Sequence, residues 1–451
     1  MSIPIIRDVD EARATVLKRV PFDDVTVPDH VAQRIQDVFG GPLSPTEVVQ
    51  RILRDVQRHG DRAVLEYTKA IDGITLSSLR VTADEIEQGW EETPAGLRRA
   101  LQVAASRIRA FHENQPIQSW INQSIDGCLG QLVRPLTRVG CYVPGGTAAY
   151  PSSVLMSAIP ARVAGVSEVI VTTPPNRDGK LAPAVLAAAR IAQVTAVYKI
   201  GGAQAIGALA YGTETVPAVD KIVGPGNLFV VLAKRQVFGQ VGIDGLPGPT
   251  ETVIIADQTA RPSWVAADLI AQAEHDSLAS AILLTPSTEL ALRVQAEVVN
   301  QLADLARQDI AVQSLSRRGA IILTRSVQQA VELADEYAPE HMCLVVEDPQ
   351  AWIPRIKNAG GLFLGEMSSE SLGDYVVGPS HIMPTGGTAR FASALNVMDF
   401  VKLINVFGVE DREVRVLSGA AAEIAMAEGL TGHAAAVRAR VSHKKASTKK
   451  S

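Results

Sequence analysis

Polar and apolar positions along this chain follow two different periods. Between residues 44 and 111 the period is helical. Ser44-Pro45-Thr46-Glu47 reads as a capping box with proline at the first helical position, and the apolar face Val48, Val49, Ile52, Leu53, Val56 follows until Gly60 ends the helix. Thr82 and Glu85 make a second capping box, and Thr93-Pro94 opens a long helix toward Phe111. These helices carry few candidates for chemistry and read as scaffold.

From about Arg138 the pattern becomes strand, glycine turn, helix, repeated. VGCYVPGG leads to a helix around Val154–Val163, EVIVTT to one around Leu181–Ile191, AVYKIGG to Gln204–Ala210, and KIVGPGN to Leu228–Val237. A second alternating series runs from Thr252 to Gly365, with strands TVIIAD, AILLT, AIILT, MCLVVED and LFLGE, and Gly242–Pro249 reads as the linker between the two. Alternation of this kind predicts parallel sheets covered by helices on both faces, an α/β fold of two Rossmann-like layered domains. The turns Gly145-Gly146, Gly201-Gly202 and Gly224-Pro225-Gly226 follow strands and so line the carboxyl edge, where such folds bind ligands and helix N-termini favour phosphate. No GxGxxG is present, so a dinucleotide does not follow from these turns alone. Beyond Phe391 the chain reads as helical again, Ala420–Ala427 and Ala434–Arg440 flanking Gly429-Leu430-Thr431-Gly432-His433. That piece is too small to fold alone and is expected to dock, a second subunit being one candidate.

Composition narrows the class. A chain of 451 residues, 47% hydrophobic and only 4% aromatic, suits layered α/β packing in more than one domain. A formal charge of −5 gives no general pull toward nucleic acid or anionic lipid. Only Lys444, Lys445, Lys449 and Lys450 depart from this, and they read as a frayed tail, nucleic-acid contact being the lesser alternative. Three cysteines, Cys128, Cys141 and Cys343, are no disulfide framework at this length, and no apolar run spans a bilayer, Arg162, Glu168 and Arg190 interrupting the best. The N-terminus lacks a basic-then-apolar signal. A cytoplasmic protein with no membrane and no nucleic-acid partner is expected.

The chemistry concentrates in SLGDYVVGPSHIMPTGGTARF, Ser371 to Phe391, where glycines and prolines exclude a plain helix and Asp374 and His381 stand seven residues apart. The two can ligate a metal, shuttle protons or pair with each other. Gln272 and His275, at i and i+3, share a face near the end of the helix that starts around Pro262 and are expected to point toward the carboxyl edge of their domain. A histidine there is also an ordinary helix-dipole partner. With His433 these donors suit zinc if they converge, although glutamine is an uncommon ligand. Glu340 and His341 follow Pro339 at the entry to a strand; they reach one substrate only if the chain is irregular there, and otherwise they are a surface carboxylate and a half-buried imidazole. Cys343 reads as core, and neither Cys128 nor Cys141 has a setting that activates a thiol.

Taken in order, the segments GGTAAYPSSVLM, GGAQAIGALAYGT, KIVGPGN, GPTE, QAEHD, APEHM, GDYVVGPSHIMPTGGTARF and EGLTGH resemble the histidinol dehydrogenase family from about residue 30 to 440. The resemblance implies NAD-linked oxidation of L-histidinol to L-histidine through L-histidinaldehyde, the last step of histidine biosynthesis, with two NAD used per turnover. It implies one zinc per subunit, held by Gln272, His275, Asp374 and His433. His433 would come from the neighbouring subunit of a homodimer whose active sites are shared. Substrate would touch Thr250, His381 and Glu428 besides the metal ligands and His341; Glu340 and His341 would be the acid–base pair; Tyr142, Gln204 and Asn227 would touch the dinucleotide. The implied division is an N-terminal arm (1–25), a discontinuous first α/β domain with the metal and catalytic residues (26–131 and 250–392), a second on the NAD side (132–249), and a helical C-terminal dimerisation segment with a disordered basic tail (393–451). The family usually reads GPSE where this chain has Gly248-Pro249-Thr250-Glu251, so altered substrate affinity is expected. Oxidation of a related amino alcohol, a metal-dependent hydrolase using Glu340, and a non-catalytic binding protein are the competing readings.

Overall fold

The computed structural model describes residues 3–19, 27–123, 127–145 and 148–442. Gly146, the lysine tail and the end of the N-terminal arm lie outside them. The chain divides into two compact units, residues 1–115 with 136–400, and residues 116–135 with 401–451.

The first unit begins with a short strand, β1 (Ile5–Ile6), and α1 (Val9–Ala14). Then come α2 (Asp29–Phe39), α3 (Pro45–Tyr67), α4 (Ala83–Glu92) and α5 (Ala95–Glu113). Both capping boxes form: the Ser44 hydroxyl accepts from Glu47 N while the Glu47 carboxylate accepts from Ser44 N, and Thr82 and Glu85 repeat the exchange. Gly60 breaks α3 without ending it. Its positive φ of 54° kinks the chain, and Glu214 then accepts from Asp61 N at 2.8 Å, capping the segment that continues to Tyr67.

After β2 (Trp120–Asn122) and β3 (Gly127–Pro135), which belong to the second unit, come β4 (Arg138–Tyr142), α6 (Pro151–Val163), β5 (Glu168–Thr173), α7 (Pro183–Ile191), β6 (Ala196–Lys199), α8 (Gly202–Tyr211), β7 (Lys221–Val223), α9 (Leu228–Val237) and β8 (Gly242–Ile243). The strands β4 to β8 form one parallel sheet in the order β6-β5-β4-β7-β8. The start of the expected linker is thus its edge strand. The early helices pack on this sheet: Val49, Ile52, Leu53 and Val56 of α3 share a buried cluster with Ile206 and Leu209 of α8 and Ile222 of β7. Their amphipathic faces made burial evident but carried no signal of the partner.

The other sheet is built from β9 (Glu251–Ala256), β10 (Ser280–Thr285), β11 (Ala320–Leu323), β12 (His341–Val345) and β13 (Gly361–Leu364), with α10 (Pro262–Ala273), α11 (Thr288–Leu302), α12 (Gln308–Arg318) and α13 (Val327–Tyr337) between them. Its order is β1-β11-β10-β9-β12-β13, every pair parallel. Period-two alternation serves two cores here. Ile254, Leu283 and Ile321 face α10, α11 and α12, whereas Val253, Ile282 and Ile322 face α1 and α13. The expected α/β architecture of two parallel layered sheets is present.

In the second unit, β14 (Val401–Val409) pairs antiparallel along all of β3, and β2 flanks β3 on the other side. The return to helix beyond Phe391 is therefore corrected: α15 (Asp411–Ala427) and α16 (Thr431–Ser442) form, but a nine-residue strand precedes them. Most of that strand is exposed on both faces, so it lacks the alternation that announces a strand. The unit's buried apolar cluster is three alanines, Ala422, Ala425 and Ala434, while Phe407, Val416 and Ile424 lie exposed. Among the described residues no helix is long and apolar enough to cross a membrane.

Candidate active site

Two strand beginnings set the geometry. His341 is the first residue of β12 and pairs in register with Thr252 near the start of β9 and with Gly361 at the start of β13. The site therefore stands at the amino edge of the β9–β12 sheet. Gln272 lies in the last turn of α10, with His275 just past its end. The helix follows β9 and runs antiparallel to it, so its C-terminus returns to the amino edge. The expectation of a carboxyl-edge position for Gln272 and His275 is thus corrected.

The chain reaches Glu340 through a local irregularity. Ala338 terminates α13 in the left-handed conformation (φ 52°, ψ 65°), an unusual state for a residue with a Cβ, and Pro339 follows. Glu340 precedes the regular strand, so the opposite-face rule for strand neighbours does not separate it from His341. Glu340 Oε2 lies 3.9 Å from His341 Nδ1, accepts a 2.5 Å hydrogen bond from the Thr250 hydroxyl, and accepts another from Glu251 N at 3.0 Å. The Gln272 amide nitrogen donates in turn to the Thr250 hydroxyl at 3.0 Å. Burial drives the Glu340 carboxyl well above its usual range, and the hydrogen bonds from Thr250 and Glu251 oppose that rise.

His341 is buried, its ring edge-on to Phe363, and neither ring nitrogen has a hydrogen-bond partner. Its Nδ1 lies 3.9 Å from Glu370 Oε2 and its Nε2 3.9 Å from Asp374 Oδ1. Burial, reinforced by His275 and His381, lowers the imidazole to about 3. Burial raises Glu370 to about 8 although the Thr252 hydroxyl and the Cys343 thiol both donate to it, and raises Asp374 to about 6. With His341 neutral, its approaches to Glu340, Glu370 and Asp374 are not ion pairs.

The Ser371–Phe391 stretch joins the two sheets. His381 Nδ1–H donates to the Asp374 carbonyl at 2.8 Å, so its Nε2 is left to accept from the Ser153 hydroxyl on α6 at 3.2 Å. Ser380 donates to the Met156 carbonyl on the same helix. The imidazole pairs with the backbone of Asp374, which leaves the carboxylate facing His341. Because α6 follows β4, the carboxyl edge of the β4–β7 sheet faces the amino edge of the β9–β12 sheet across this loop.

Tyr142, Gln204 and Asn227 stand on that carboxyl edge. The Tyr142 hydroxyl accepts from Gly202 N at 3.1 Å, and Asn227 caps α9 by accepting from Phe229 N and Val230 N. Gln204 is buried with both amide atoms unpartnered. Gly224 has φ +116°, and a Cβ there would fall 2.1 Å from the Tyr142 carbonyl oxygen. His275 is exposed, although surrounding protein still lowers its imidazole pKa, with Glu274 opposing. Glu428 and His433 are exposed in the second unit, at the end of α15 and the start of α16. Sequence reading missed Glu370, Glu251 and Ser153 as site residues. Glu251 had a signal in the GPTE segment, whereas Glu370 sits in a polar run that marks only a loop.

A buried carboxyl and imidazole at the edge of one parallel sheet, facing the carboxyl edge of a second, make this an α/β protein with titratable groups gathered between two sheets. The sequence model of histidinol dehydrogenase matches residues 43–441. Histidinol dehydrogenase of Deinococcus radiodurans is 51% identical over 433 residues, covering 96% of this chain and 98% of that protein. That of Moorella thermoacetica is 52% identical over 395 residues, covering 87% and 93%. The crystal structure of histidinol dehydrogenase from Elizabethkingia anophelis superposes with a TM-score of 0.88 at 35% identity, covering 97% of both chains. The chain belongs to the histidinol dehydrogenase family.

Proposed function

We propose that this protein oxidises L-histidinol to L-histidine through L-histidinaldehyde, using two NAD per turnover, as a cytoplasmic homodimer. The observation that carries this reading is the buried His341 with both ring nitrogens unpartnered, beside Glu340, Glu370 and Asp374. A neutral imidazole with a free nitrogen can accept the hydroxyl proton as hydride leaves the substrate carbon for nicotinamide. The aldehyde must then add water, because hydride can leave only a tetrahedral carbon. Glu340, whose burial strengthens it as a base, takes the proton from that water, and His341 takes the proton of the hydrate in the second hydride step.

The donor chemistry fits a zinc ion. His275 has a lowered pKa and so offers an uncharged imidazole, Asp374 offers a carboxylate, and Gln272 stands at the same helix end. These make three donors, and the fourth, His433, would come from a second copy of the chain. When bound, zinc supplies a Lewis acid and a fixed point for the substrate's imidazole and amine. Thr250, His381 and Glu428 would complete the substrate contacts. The orphaned amide of Gln204 and the close glycine turn at Gly224 support a dinucleotide at Tyr142, Gln204 and Asn227. The scant core and exposed Phe407, Val416 and Ile424 of the second unit support its burial in a homodimer.

Purified protein given L-histidinol, NAD and zinc is expected to form two NADH per L-histidine released. Absence of NADH, with the protein folded and zinc-loaded, would overturn the reading.

A further inference from the structure

The N-terminal arm lies outside the stretch matched by the family model, yet its last described residue reaches the site. Strand β1 adds to β11, and Ala12 of α1 is buried in the core between that sheet and α13. This docking delivers Arg19 to the turn that precedes Glu340. Its guanidinium lies 3.5 Å from the centroid of the Tyr337 ring and donates to the carbonyls of Tyr337 and Ala338 and to the buried carboxylate of Glu251. The other contacts of Glu251 point the same way. Its backbone N–H donates to Glu340 Oε2, and its carboxylate accepts from Gly386 N at 3.2 Å. Gly387, with φ +77°, passes so close that a Cβ would meet Arg19 Nε at 3.2 Å.

One planar fork therefore ties together the start of β9, the left-handed turn at Ala338 and the Gly386-Gly387 loop. A left-handed alanine is held only where its surroundings over-determine it, and Arg19 bonds the carbonyls on both sides of that residue's nitrogen and carbon. A lysine carries the charge but cannot serve the carboxylate and two carbonyls from one rigid plane. We propose that Arg19, acting through Glu251 and the Tyr337–Ala338 carbonyls, is a positioning residue that holds Glu340 against His341 for the reaction.

This inference rests on the function proposed above, and the test separates the two. Steady-state kcat and KM for L-histidinol are measured per folded protein for wild type, Arg19→Ala, Arg19→Lys, Glu251→Gln and the Arg19→Ala/Glu251→Gln double variant. If wild type itself forms no NADH, the proposed function fails. Given an active wild type, Arg19→Ala is expected to lose at least about tenfold in kcat with KM changed less than about threefold, the signature of lost alignment. Arg19→Lys should recover part of that loss, and the double variant should be no slower than the worse single one, because both act on one unit. Should Arg19→Ala not fold, Arg19→Lys carries the test, with kcat expected several-fold below wild type. Overturning results are a kcat within about twofold of wild type in the folded variant tested, or losses that multiply in the double variant.

Discussion

The Thr250 hydroxyl donates to Glu340 Oε2 at 2.5 Å while accepting from the Gln272 amide at 3.0 Å, so one side chain links Glu340, beside His341, to the end of α10. The hydroxyl, and not the methyl, makes this link. Thr250→Ser should keep both hydrogen bonds and hold kcat within about threefold. Thr250→Val keeps the shape but leaves Glu340 and Gln272 short of a partner, a loss of roughly 1–3 kcal/mol at a buried site. Steady-state kinetics on the two variants, with a fall in kcat/KM of about tenfold or more for valine alone, checks the assignment.

The two members of the pair should separate by step. His341→Ala is expected to depress both oxidations by about 10²–10⁴-fold, since proton removal accompanies each hydride transfer. Glu340→Gln should mainly slow oxidation of L-histidinaldehyde supplied directly. Equal loss of both steps in Glu340→Gln would remove the water-activating role.

Metal dependence gives a check that does not need turnover. Dialysis against a chelator should abolish NADH formation and the shift in melting temperature that L-histidinol gives the loaded protein. Zinc should restore both, and full activity in metal-stripped protein would exclude the ligand set Gln272, His275, Asp374 and His433.

Shared sites predict complementation. His341→Ala and His433→Ala chains, each inactive, should regain activity when refolded together, because one of the two mixed sites has both residues intact. No recovery in demonstrated heterodimers would mean that each copy builds its own site.

Glu370 makes stability depend on pH in a defined direction. Burial raises it to about 8 from an ordinary 4.5, so between those values the folded protein holds a proton that the unfolded chain has lost. Its favourable contribution is complete below the lower value and is lost as pH rises through the upper one. Glu370→Gln, which mimics the protonated form, should flatten that fall and raise the melting temperature relative to wild type by roughly 2–5 °C near pH 9. Near pH 5 the two proteins should melt alike.

Much of this protein is encoded locally. The capping boxes at Ser44 and Thr82, the β-strands from Glu251 to Leu364 and the helices between them follow from runs whose period says which face is buried. The pairing of Glu340 with His341 was legible as a candidate because two titratable residues follow a proline at a strand entry. Its geometry was not, since a left-handed Ala338 is a conformation that no propensity favours.

The order of residues in the chain thus determined that two parallel sheets form and which polar side chains were candidates for a site. Tertiary structure alone decided that α3 packs on the β4–β7 sheet, that Val401–Val409 is a strand, and that the end of α10 lies at the amino edge. It also decided that Arg19 meets Glu251 across 232 residues and that Glu370 stands behind His341. Periodicity specifies burial, and burial is satisfied by any matching apolar face. Which face is met, and which polar atoms are carried in with it, depends on the packing of the whole chain.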